Sequence, residues 1–345
     1  MNRSWLEISR ARMVHNLHLI RSIIGPSVDL IAVVKANAYG HGMREAGTLL
    51  WQEGVRRFAV ACFEEAAELR QHLSSAEILI LGGISSEEEA SCSKLNLIPA
   101  LVDEHTPLSN LAVHLLIDTG MTRLGVNWSR CAQILDSLGN RVRGVFSHFA
   151  SAESDPEYCQ VQLRRFKQAI SGRRLFRHLS NSSGIALPEC RFEAVRPGLA
   201  LYGIDPGVPL GDLKPIMSWK TRIVSISRVP AGTRVGYSSG FITRRESLIG
   251  VLPVGYADGY SRSLSNRGIV RIGSALAPVV GYVSMDMITV DLTDVNPVQI
   301  GDEVVLLEAA PNSPLSASSL ARILRTIPYE ILTSIGPRVG RVWKD

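Results

Sequence analysis

Over the first two-thirds of the chain, short apolar segments alternate with amphipathic segments of helical spacing. Eight of the apolar segments are bounded by glycine, proline, asparagine or charged residues, which predicts eight short β-strands. The predicted strands are Leu30–Val34, Phe58–Ala61, Ile78–Leu81, Leu97–Val102, Ala112–Ile117, Val142–Ser147, Phe176–Leu179 and Glu193–Val195. Because helical segments separate most of them, we expect the strands to pair in parallel. Eight parallel strands in about 200 residues favour a TIM-type (β/α)8 barrel over a doubly wound sheet.

The helical segments that would surround this barrel are predicted at Ser9–Ile23, Arg44–Gln52, Glu64–His72, Glu87–Ser93, Arg130–Ser137 and Tyr158–Ser171. Two connections fit the barrel less well than the others. About nine residues, Asp103–Leu111, separate the fourth and fifth strands, which is too few for a full crossover helix. The last predicted helix, Ser182–Leu187, is also short.

The pattern changes after about Leu210, and helical spacing is nearly absent until Ser316–Leu324. Strand-like runs with glycine turns follow one another instead, at Arg222–Val229, Leu248–Pro253, Gly268–Ile272, Ala277–Val283, Met287–Leu292 and Glu303–Glu308. They predict a mostly antiparallel β domain. We place the boundary in the stretch Asp205–Lys214, which is rich in proline and glycine, so that the predicted domains are 1–210 and 211–345.

The composition excludes several classes of protein. The chain of 345 residues is 46% hydrophobic and 20% charged, with a formal net charge of +5, which is typical of a globular protein and not of a disordered or collagen-like one. Its densest basic clusters, Arg173–Arg174 and Arg244–Arg245, are too small for a nucleic-acid surface. No apolar run approaches the roughly 20 residues of a membrane span.

The cysteines and the first residues of the chain suggest a cellular location. The five cysteines are widely spaced and form no CxxC motif, which favours reduced thiols over disulfides or a zinc site. The start of the chain, Met1–Ile8, lacks the apolar core and cleavage site of a secretory signal peptide. We therefore expect a cytoplasmic protein without a metal.

Reactive side chains follow five of the predicted strands. In a barrel of this type the active site lies at the carboxyl ends of the strands. The residues found there are Lys35, Asn37, Tyr39, Gly40 and His41 after the first strand, Asp118, Thr119, Gly120 and Arg123 after the fifth, Ser147 and His148 at the end of the sixth, Asn181, Ser182, Ser183 and Gly184 after the seventh, and Arg196, Pro197 and Gly198 after the eighth. Their acidic and imidazole groups lack the spacing of a metal site.

Lys35 is the most informative of these residues, because it directly follows a continuous apolar run. Partial burial there would lower the pKa of its ammonium and make available the neutral amine that forms a Schiff base with an aldehyde. A lysine that only extends its ammonium into water is the alternative, and it is the commoner case for a lysine taken alone.

The turns after the last two strands, Asn181–Gly184 and Arg196–Gly198, lie where such barrels bind phosphate through backbone N–H groups and hydroxyls. Ordinary turn chemistry would use the same residue types. Together with a lysine on the same rim, they suggest pyridoxal phosphate, a phosphorylated aldehyde, as cofactor. His148 taken alone would be an ordinary buried histidine, and Arg123 could simply pair with Asp118.

Longer motifs carry a family resemblance. The segment Ala32–Gly42, AVVKANAYGHG, resembles the cofactor-lysine signature of alanine racemases. Further segments resemble the same family in the same order: Asp118–Gly125, Phe146–Ala150, Asn181–Gly184, Val195–Gly198, Tyr202–Gly203, Val235–Tyr237, Gly255–Tyr260, Ser284–Asp286 and Pro328–Glu330. The resemblance extends from about Trp5 to Val342. It implies an amino-terminal barrel, a carboxy-terminal β domain and a head-to-tail homodimer in which each site is completed by the partner's β domain.

The resemblance also implies roles for individual residues. Lys35 would hold pyridoxal phosphate and act as the base on the face of the D-enantiomer, and Tyr237 of the other subunit would be the base on the L face. His148 would hydrogen-bond Tyr237, and Arg196 would face the pyridine nitrogen. The phosphate would be held by Tyr39, Ser182, Gly198 and Leu199, and the substrate carboxylate by Arg123 and the backbone of Met285.

Three positions depart from the family pattern. Leu116 stands where the family commonly has a carbamate-bearing lysine, or an asparagine beside a chloride ion, that positions the arginine. We therefore expect Arg123 to be held differently or less firmly. Ser284 stands where cysteine is common, and Pro337 where some members carry a tyrosine at the mouth of the site.

The resemblance predicts an alanine racemase that supplies D-alanine for the cell wall, with a small amino acid as substrate. The alternative within the same chemistry is a racemase that prefers serine or accepts many amino acids. A decarboxylase of the same fold would place a carboxylate against the pyridine nitrogen, and Arg196 argues against it. A protein that only binds the cofactor would need no second base, and Tyr237 argues against that.

Overall fold

The computed structural model of the protein describes residues 3–104 and 111–345. The chain divides into two units, one made of Val14–Leu213 and the other of Met1–Met13 and Lys214–Asp345. The observed division therefore differs from the predicted domains 1–210 and 211–345 at the start of the chain. The physical reason is that the strand Ser4–Ser9 pairs with two strands of the second unit.

The first unit is a closed barrel of eight parallel strands, which confirms the predicted fold, and a ninth short strand, Val126–Asn127, pairs with the end of the fifth. The strands are Asp29–Val33, Arg57–Val60, Glu77–Ile80, Ile98–Leu101, Val113–Asp118, Val142–Phe146, Arg177–His178 and Ala194–Val195. The last strand pairs with the first, Val195 opposite Leu30, and Ala100 pairs with His114 between the fourth and the fifth. Each predicted strand is found, and most of the strand ends differ from the prediction by one residue. The prediction works because strands of a buried parallel sheet are continuous apolar runs.

The α-helices of this region are Arg10–Ile24, Met43–Gln52, Phe63–His72, Glu89–Lys94, Cys131–Leu138 and Pro156–Ala169. The last of these begins with proline at its first position, and its N-cap Asp155 accepts a hydrogen bond from the N–H of Tyr158. The predicted helix Ser182–Leu187 is a 3-10 turn, Ser183–Ala186. Most of the short connection predicted at Asp103–Leu111, residues 105–110, lies outside the described part of the chain.

The second unit contains a six-stranded sheet in the spatial order Ala275–Pro278, Ile269–Ile272, Glu303–Leu307, Met217–Arg222, Ser4–Ser9 and Gly340–Lys344. Only the last two strands pair in parallel. The sequence indicates one strand at Arg222–Val229, whereas the structure has two, Met217–Arg222 and Ser225–Val229, that lie in different sheets.

The rest of the second unit is a three-stranded antiparallel sheet, a short hairpin and two helices. The sheet consists of Ser225–Val229, Ser247–Leu252 and Ile288–Asp291, the hairpin of Arg234–Val235 and Phe241–Ile242, and the helices are Ala317–Leu324 and Pro328–Thr333. The predicted strand Ala277–Val283 ends early, at Pro278, and Gly281 beyond it has a φ of +78°. Within the described ranges, no helix has the length and apolar character needed to span a membrane.

Candidate active site

Lys35 lies two residues beyond the first barrel strand and begins a left-handed turn. Ala36, Asn37 and Ala38 have φ angles of 51° to 53°, a region that costs a non-glycine residue about 1–2 kcal/mol. Hydrogen bonds to Asn37 hold the turn, from the N–H of Gly42 to its carbonyl at 2.9 Å and from the N–H of Met43 to its side-chain oxygen at 2.7 Å. Such strain persists where the surroundings impose it, and it concentrates at functional sites.

The ammonium of Lys35 lies in a basic environment. Burial lowers its pKa below the ordinary lysine value, the charges of Arg123 and Arg196 lower it further, and Glu65 acts in the opposite direction. Glu65 accepts hydrogen bonds from the N–H groups of Ala36, at 2.6 Å, and Ala61, at 2.8 Å. The lowered pKa increases the fraction of neutral amine at a given pH, which is the form that attacks an aldehyde.

Arg196 is almost completely buried at the end of the last barrel strand. Its guanidinium donates to the carbonyls of Ser147 and His178, each at 2.6 Å, and lies 2.7 Å from Nδ1 of His178. Burial lowers the pKa of Arg196 to about 9, so that it remains protonated at neutral pH. Several fixed acceptors therefore determine the orientation of this cation.

A chain of hydrogen bonds runs from Arg196 through His178 to His114 inside the barrel unit. Nδ1 of His178 accepts from Arg196, which leaves the proton on Nε2, and that atom lies 2.8 Å from Nδ1 of His114. Burial lowers the pKa of His114 to about 3 and that of His178 well below its usual range, and nearby cations add to both shifts. The two imidazoles are therefore neutral supports for Arg196 and not proton donors to solvent.

His148 lies beside Arg196, with 3.3 Å between its Nδ1 and a guanidinium nitrogen. Burial and the charges of Arg196, Arg123 and Lys35 lower its pKa to about 3. Because Nδ1 faces a donor, the proton of the neutral ring belongs on Nε2. His148 therefore offers one N–H for a hydrogen bond to an acceptor outside this contact.

The turns after the seventh and eighth strands form a close-packed cradle. The Ser182 hydroxyl oxygen accepts from the N–H groups of Gly198, at 3.1 Å, and Ala200, at 3.2 Å. A Cβ atom at Gly198 would lie 2.2 Å from the hydroxyl oxygen of Tyr39, and Leu199, the next residue, is buried. Tyr39 packs against Tyr202, whose hydroxyl donates to the carbonyl of Val33 at 2.9 Å. Backbone N–H groups, hydroxyls and missing side-chain bulk are features of a phosphate site.

Arg123 is exposed and has no ion pair or side-chain hydrogen bond within residues 3–104 and 111–345. Arg123 does not pair with Asp118, the alternative that the sequence left open. Asp118 instead accepts hydrogen bonds from the N–H groups of Gly120, at 2.9 Å, and Thr122, at 3.1 Å. Leu116 packs with Ala100 and Phe146 in an apolar cluster and offers no polar group to the arginine. The Arg123 guanidinium is therefore available to an anionic ligand.

Tyr237 and Met285 lie in the second unit, where both are exposed, by 73% and 52% respectively. The N–H of Met285 donates to no other group in the described part of the chain. Its carbonyl accepts from the N–H of Ala257 at 3.0 Å, which fixes this peptide segment. The ten site residues predicted from the sequence thus form two sets, with eight on the barrel rim and two on the surface of the other unit.

The sequence reasoning missed Glu65, His178 and His114. Glu65 lies in the first turn of the helix Phe63–His72, and its position after a barrel strand was a usable signal. The two histidines lie inside strands, and no local pattern distinguishes them from ordinary core residues. Within the described ranges, no group of three or more histidine, cysteine, aspartate or glutamate side chains is placed to hold a metal ion.

The sequence is similar to known proteins over nearly the whole length of the chain. The family profile described as "Alanine racemase, N-terminal domain" matches residues 8–206, and that described as "Alanine racemase, C-terminal domain" matches residues 216–343. A curated alanine racemase from Halothermothrix orenii is 40% identical over 367 aligned residues, which cover 99% of this chain and 97% of that protein.

Solved structures of similar proteins have the same fold. The biosynthetic alanine racemase from Pseudomonas aeruginosa is 34% identical with a TM-score of 0.90, and the match covers 100% of both chains. The alanine racemase from Bartonella henselae, solved with covalently bound pyridoxal phosphate, is 32% identical with a TM-score of 0.91, and the match covers 99% of both chains.

Proposed function

The chain belongs to the alanine racemase family, and from this premise we propose that it interconverts L-alanine and D-alanine with pyridoxal phosphate as cofactor. One observation carries the proposal. A partly buried lysine of lowered pKa, Lys35, shares the barrel rim with a cradle of hydroxyls and backbone N–H groups, formed by Tyr39, Ser182 and Gly198.

The residues present fit this cofactor. Lys35 offers an amine for its aldehyde, and Tyr39, Ser182, Gly198 and Leu199 would hold its phosphate. The missing side chain at Gly198 supports this assignment, since any Cβ there would collide with the Tyr39 hydroxyl. When bound, pyridoxal phosphate withdraws electrons from the amino acid and so acidifies its α-hydrogen.

Arg196 would face the pyridine nitrogen of the cofactor. Its fixed hydrogen bonds keep the guanidinium in one orientation, and its pKa of about 9 keeps it protonated at neutral pH. A protonated guanidinium does not readily give up a proton, so the pyridine nitrogen would stay unprotonated and withdraw electrons less strongly. This favours racemisation over decarboxylation, for which a carboxylate partner would suit better.

Inversion at one carbon needs a base on each of two faces. We assign Lys35 to the face of the D-enantiomer and Tyr237 to the face of the L-enantiomer. A neutral phenol must lose its proton before it can act as a base. The Nε2 proton of His148 supports the assignment, since an N–H directed at the phenolic oxygen stabilises the phenolate.

Arg123 and the N–H of Met285 would hold the substrate carboxylate. Arg123 is a cation without a protein anion in the described residues, and the Met285 N–H has no acceptor there. A carboxylate supplies negative charge to the first and an acceptor to the second. Holding the carboxylate also fixes which faces of the α-carbon the two bases meet.

A second copy of the chain would complete the site. We assign the cofactor site to residues 1–210 and the completion of the partner's site to residues 211–345, in a head-to-tail homodimer. The exposure of Tyr237 and Met285 supports this arrangement, because a catalytic phenol needs a surface that excludes water. The cellular role would be the supply of D-alanine for peptidoglycan in the cytoplasm.

The direct test is exchange of the α-hydrogen in D2O, followed by NMR, with pyridoxal phosphate and a panel of L- and D-amino acids. Exchange with inversion for alanine alone supports the proposal, and the Lys35→Ala variant should show none. Inversion of serine or of many amino acids would establish the alternative, a racemase of other or broad preference. Cofactor binding without exchange of any amino acid would contradict both.

A further inference from the structure

The loop that carries Arg123, Asp118–Gly125, is held by one face of the helix Pro156–Ala169. We infer that Tyr158, Gln162 and Arg165 of this helix are positioning residues, which fix Arg123 for the substrate carboxylate. We name these three side chains the loop clamp. The inference rests on the proposed function, because it concerns how the proposed site binds its substrate.

Tyr158 and Arg165 hold two consecutive carbonyls of the loop. The Tyr158 hydroxyl donates to the carbonyl of Gly120 at 2.7 Å, and the Arg165 guanidinium donates to the carbonyl of Thr119 at 2.9 Å. The two side chains lie seven residues apart, which places them on the same face of a helix. The loop backbone therefore docks on the helix through its carbonyl side.

Gln162, between them on the same face, joins two loops of the rim. Its side-chain N–H groups donate to the Thr119 hydroxyl at 3.2 Å and to the carbonyl of His148 at 3.0 Å. Its side-chain oxygen accepts from the N–H of Ala150 at 3.0 Å. Gln162 is completely buried, so breaking these contacts would leave unpaired polar groups in the interior. It links the Arg123 loop to the loop that carries His148.

The opposite side of the loop is held by Asp118, which accepts from two loop N–H groups. Gly120, between these contacts, has a φ of +138°, and a Cβ there would lie 2.4 Å from the Tyr158 hydroxyl oxygen. Only glycine allows the helix to approach this closely. The loop carbonyls are bonded to the helix and the loop N–H groups to Asp118, so the backbone before Arg123 has little freedom to move.

The clamp has a specific consequence, because Arg123 itself has no side-chain partner in the described ranges. The position of its guanidinium depends on the loop backbone and thus on the loop clamp. Loosening the clamp should weaken the binding of ligands with a carboxylate and leave ligands without one unaffected. A general loss of folding would weaken both.

The test compares Tyr158→Phe and Arg165→Ala with Arg164→Ala in the cofactor-loaded enzyme. Arg164 is the matched control, since it is an exposed arginine on the same helix. We expect KM for alanine and the inhibition constant of propionate to rise about three- to tenfold in Tyr158→Phe and Arg165→Ala. A rise of this size corresponds to the loss of one hydrogen bond. The change in kcat should be smaller. The affinity for ethylamine, which is alanine without its carboxylate, should not change.

Hydrogen–deuterium exchange of the loop amides gives a second measurement that needs no activity. The N–H groups of Gly120 and Thr122 should exchange faster in Tyr158→Phe and Arg165→Ala than in Arg164→Ala. Equal exchange, or equal weakening of propionate and ethylamine, would overturn the clamp. If the unmodified enzyme does not racemise alanine, the proposed function fails, and the exchange comparison still decides whether the clamp holds the loop.

Discussion

The barrel rim and the exposed face of the second unit carry the proposed chemistry in opposite ways. On the rim, Arg196 is held by several acceptors, His148 lies against it, and the pKa of Lys35 is already lowered before any ligand binds. In the second unit, Tyr237 is 73% exposed and the N–H of Met285 has no acceptor in the described part of the chain. The polar groups around Arg196 are therefore fixed in advance, whereas the proposed role of the second face requires another surface to exclude water from it.

Charges also serve different purposes in the two regions. On the rim, no described carboxylate pairs with Arg123, which leaves its charge available to the proposed substrate. In the second unit, Arg338 pairs with Asp286 at 2.7 Å and with the buried Asp258 at 3.3 Å. These ion pairs fix the segment beside Met285. In the proposed site, Arg123 would bind the substrate carboxylate, whereas the charges around Met285 pair with one another.

The largest effect should come from Lys35→Ala. Removing the amine removes both the covalent attachment of the cofactor and one of the two bases, so racemisation should fall by at least about a thousandfold. The measurement is α-hydrogen exchange of both alanine enantiomers, with cofactor absorbance in parallel. Lys167→Ala, an exposed lysine of the barrel unit, is the control. If Lys35→Ala still exchanges the α-hydrogen of alanine, Lys35 is neither the cofactor lysine nor a catalytic base.

Tyr237→Phe should separate the two regions. The variant should keep its cofactor and lose abstraction of the α-hydrogen of L-alanine by about 10²- to 10⁴-fold, the usual contribution of a general base. Tyr282→Phe, another exposed tyrosine of the same unit, is the control and should retain full activity. Full activity in Tyr237→Phe would show that the second face contributes no base.

Gly198→Ala should damage the cradle alone. Its new Cβ would lie 2.2 Å from the Tyr39 hydroxyl oxygen, so one of the two groups must move. We expect cofactor affinity to fall about 10- to 100-fold, in line with the cost of overpacking. In Gly336→Ala, by contrast, the Cβ would have an ordinary contact of 3.5 Å, and cofactor affinity should be unchanged. Equal affinity in both variants would refute the cradle.

The smallest effect is a shift in pH dependence. The charge of Arg123 lowers the pKa of Lys35, so Arg123→Gln should raise that pKa. Because only the neutral amine reacts, the pH midpoint for attachment of pyridoxal phosphate to the cofactor-free protein should move upward. Arg164→Gln should leave the midpoint in place. A downward shift in Arg123→Gln would contradict the electrostatic account of the rim.

Local sequence predicted the barrel well and the second unit less completely. The barrel strands are apolar runs between residues that break strands, so each can be located without its partner. The strand Ser4–Ser9 depends on pairing with Met217–Arg222 and Gly340–Lys344, which are more than 200 residues away in sequence. No local pattern contains that information.

The site divides in the same manner. Lys35 and Arg196 could be predicted because both follow strands, and the barrel brings all strand ends to one rim. The left-handed conformation at Ala36–Ala38 could not, since these residues disfavour it and only their surroundings impose it. The support of Arg196 by His178 depends on which residues of adjacent strands face each other.

The most direct test of the two-region account is a mixed dimer. Lys35→Ala and Tyr237→Phe would be co-expressed with different affinity tags, and the dimer that carries both tags would be purified. If each site takes Lys35 from one subunit and Tyr237 from the other, one of the two sites is intact, and activity should recover to about half that of the unmodified dimer. If both residues act within one subunit, every site is defective, and a mixed dimer as inactive as its parents would contradict the account.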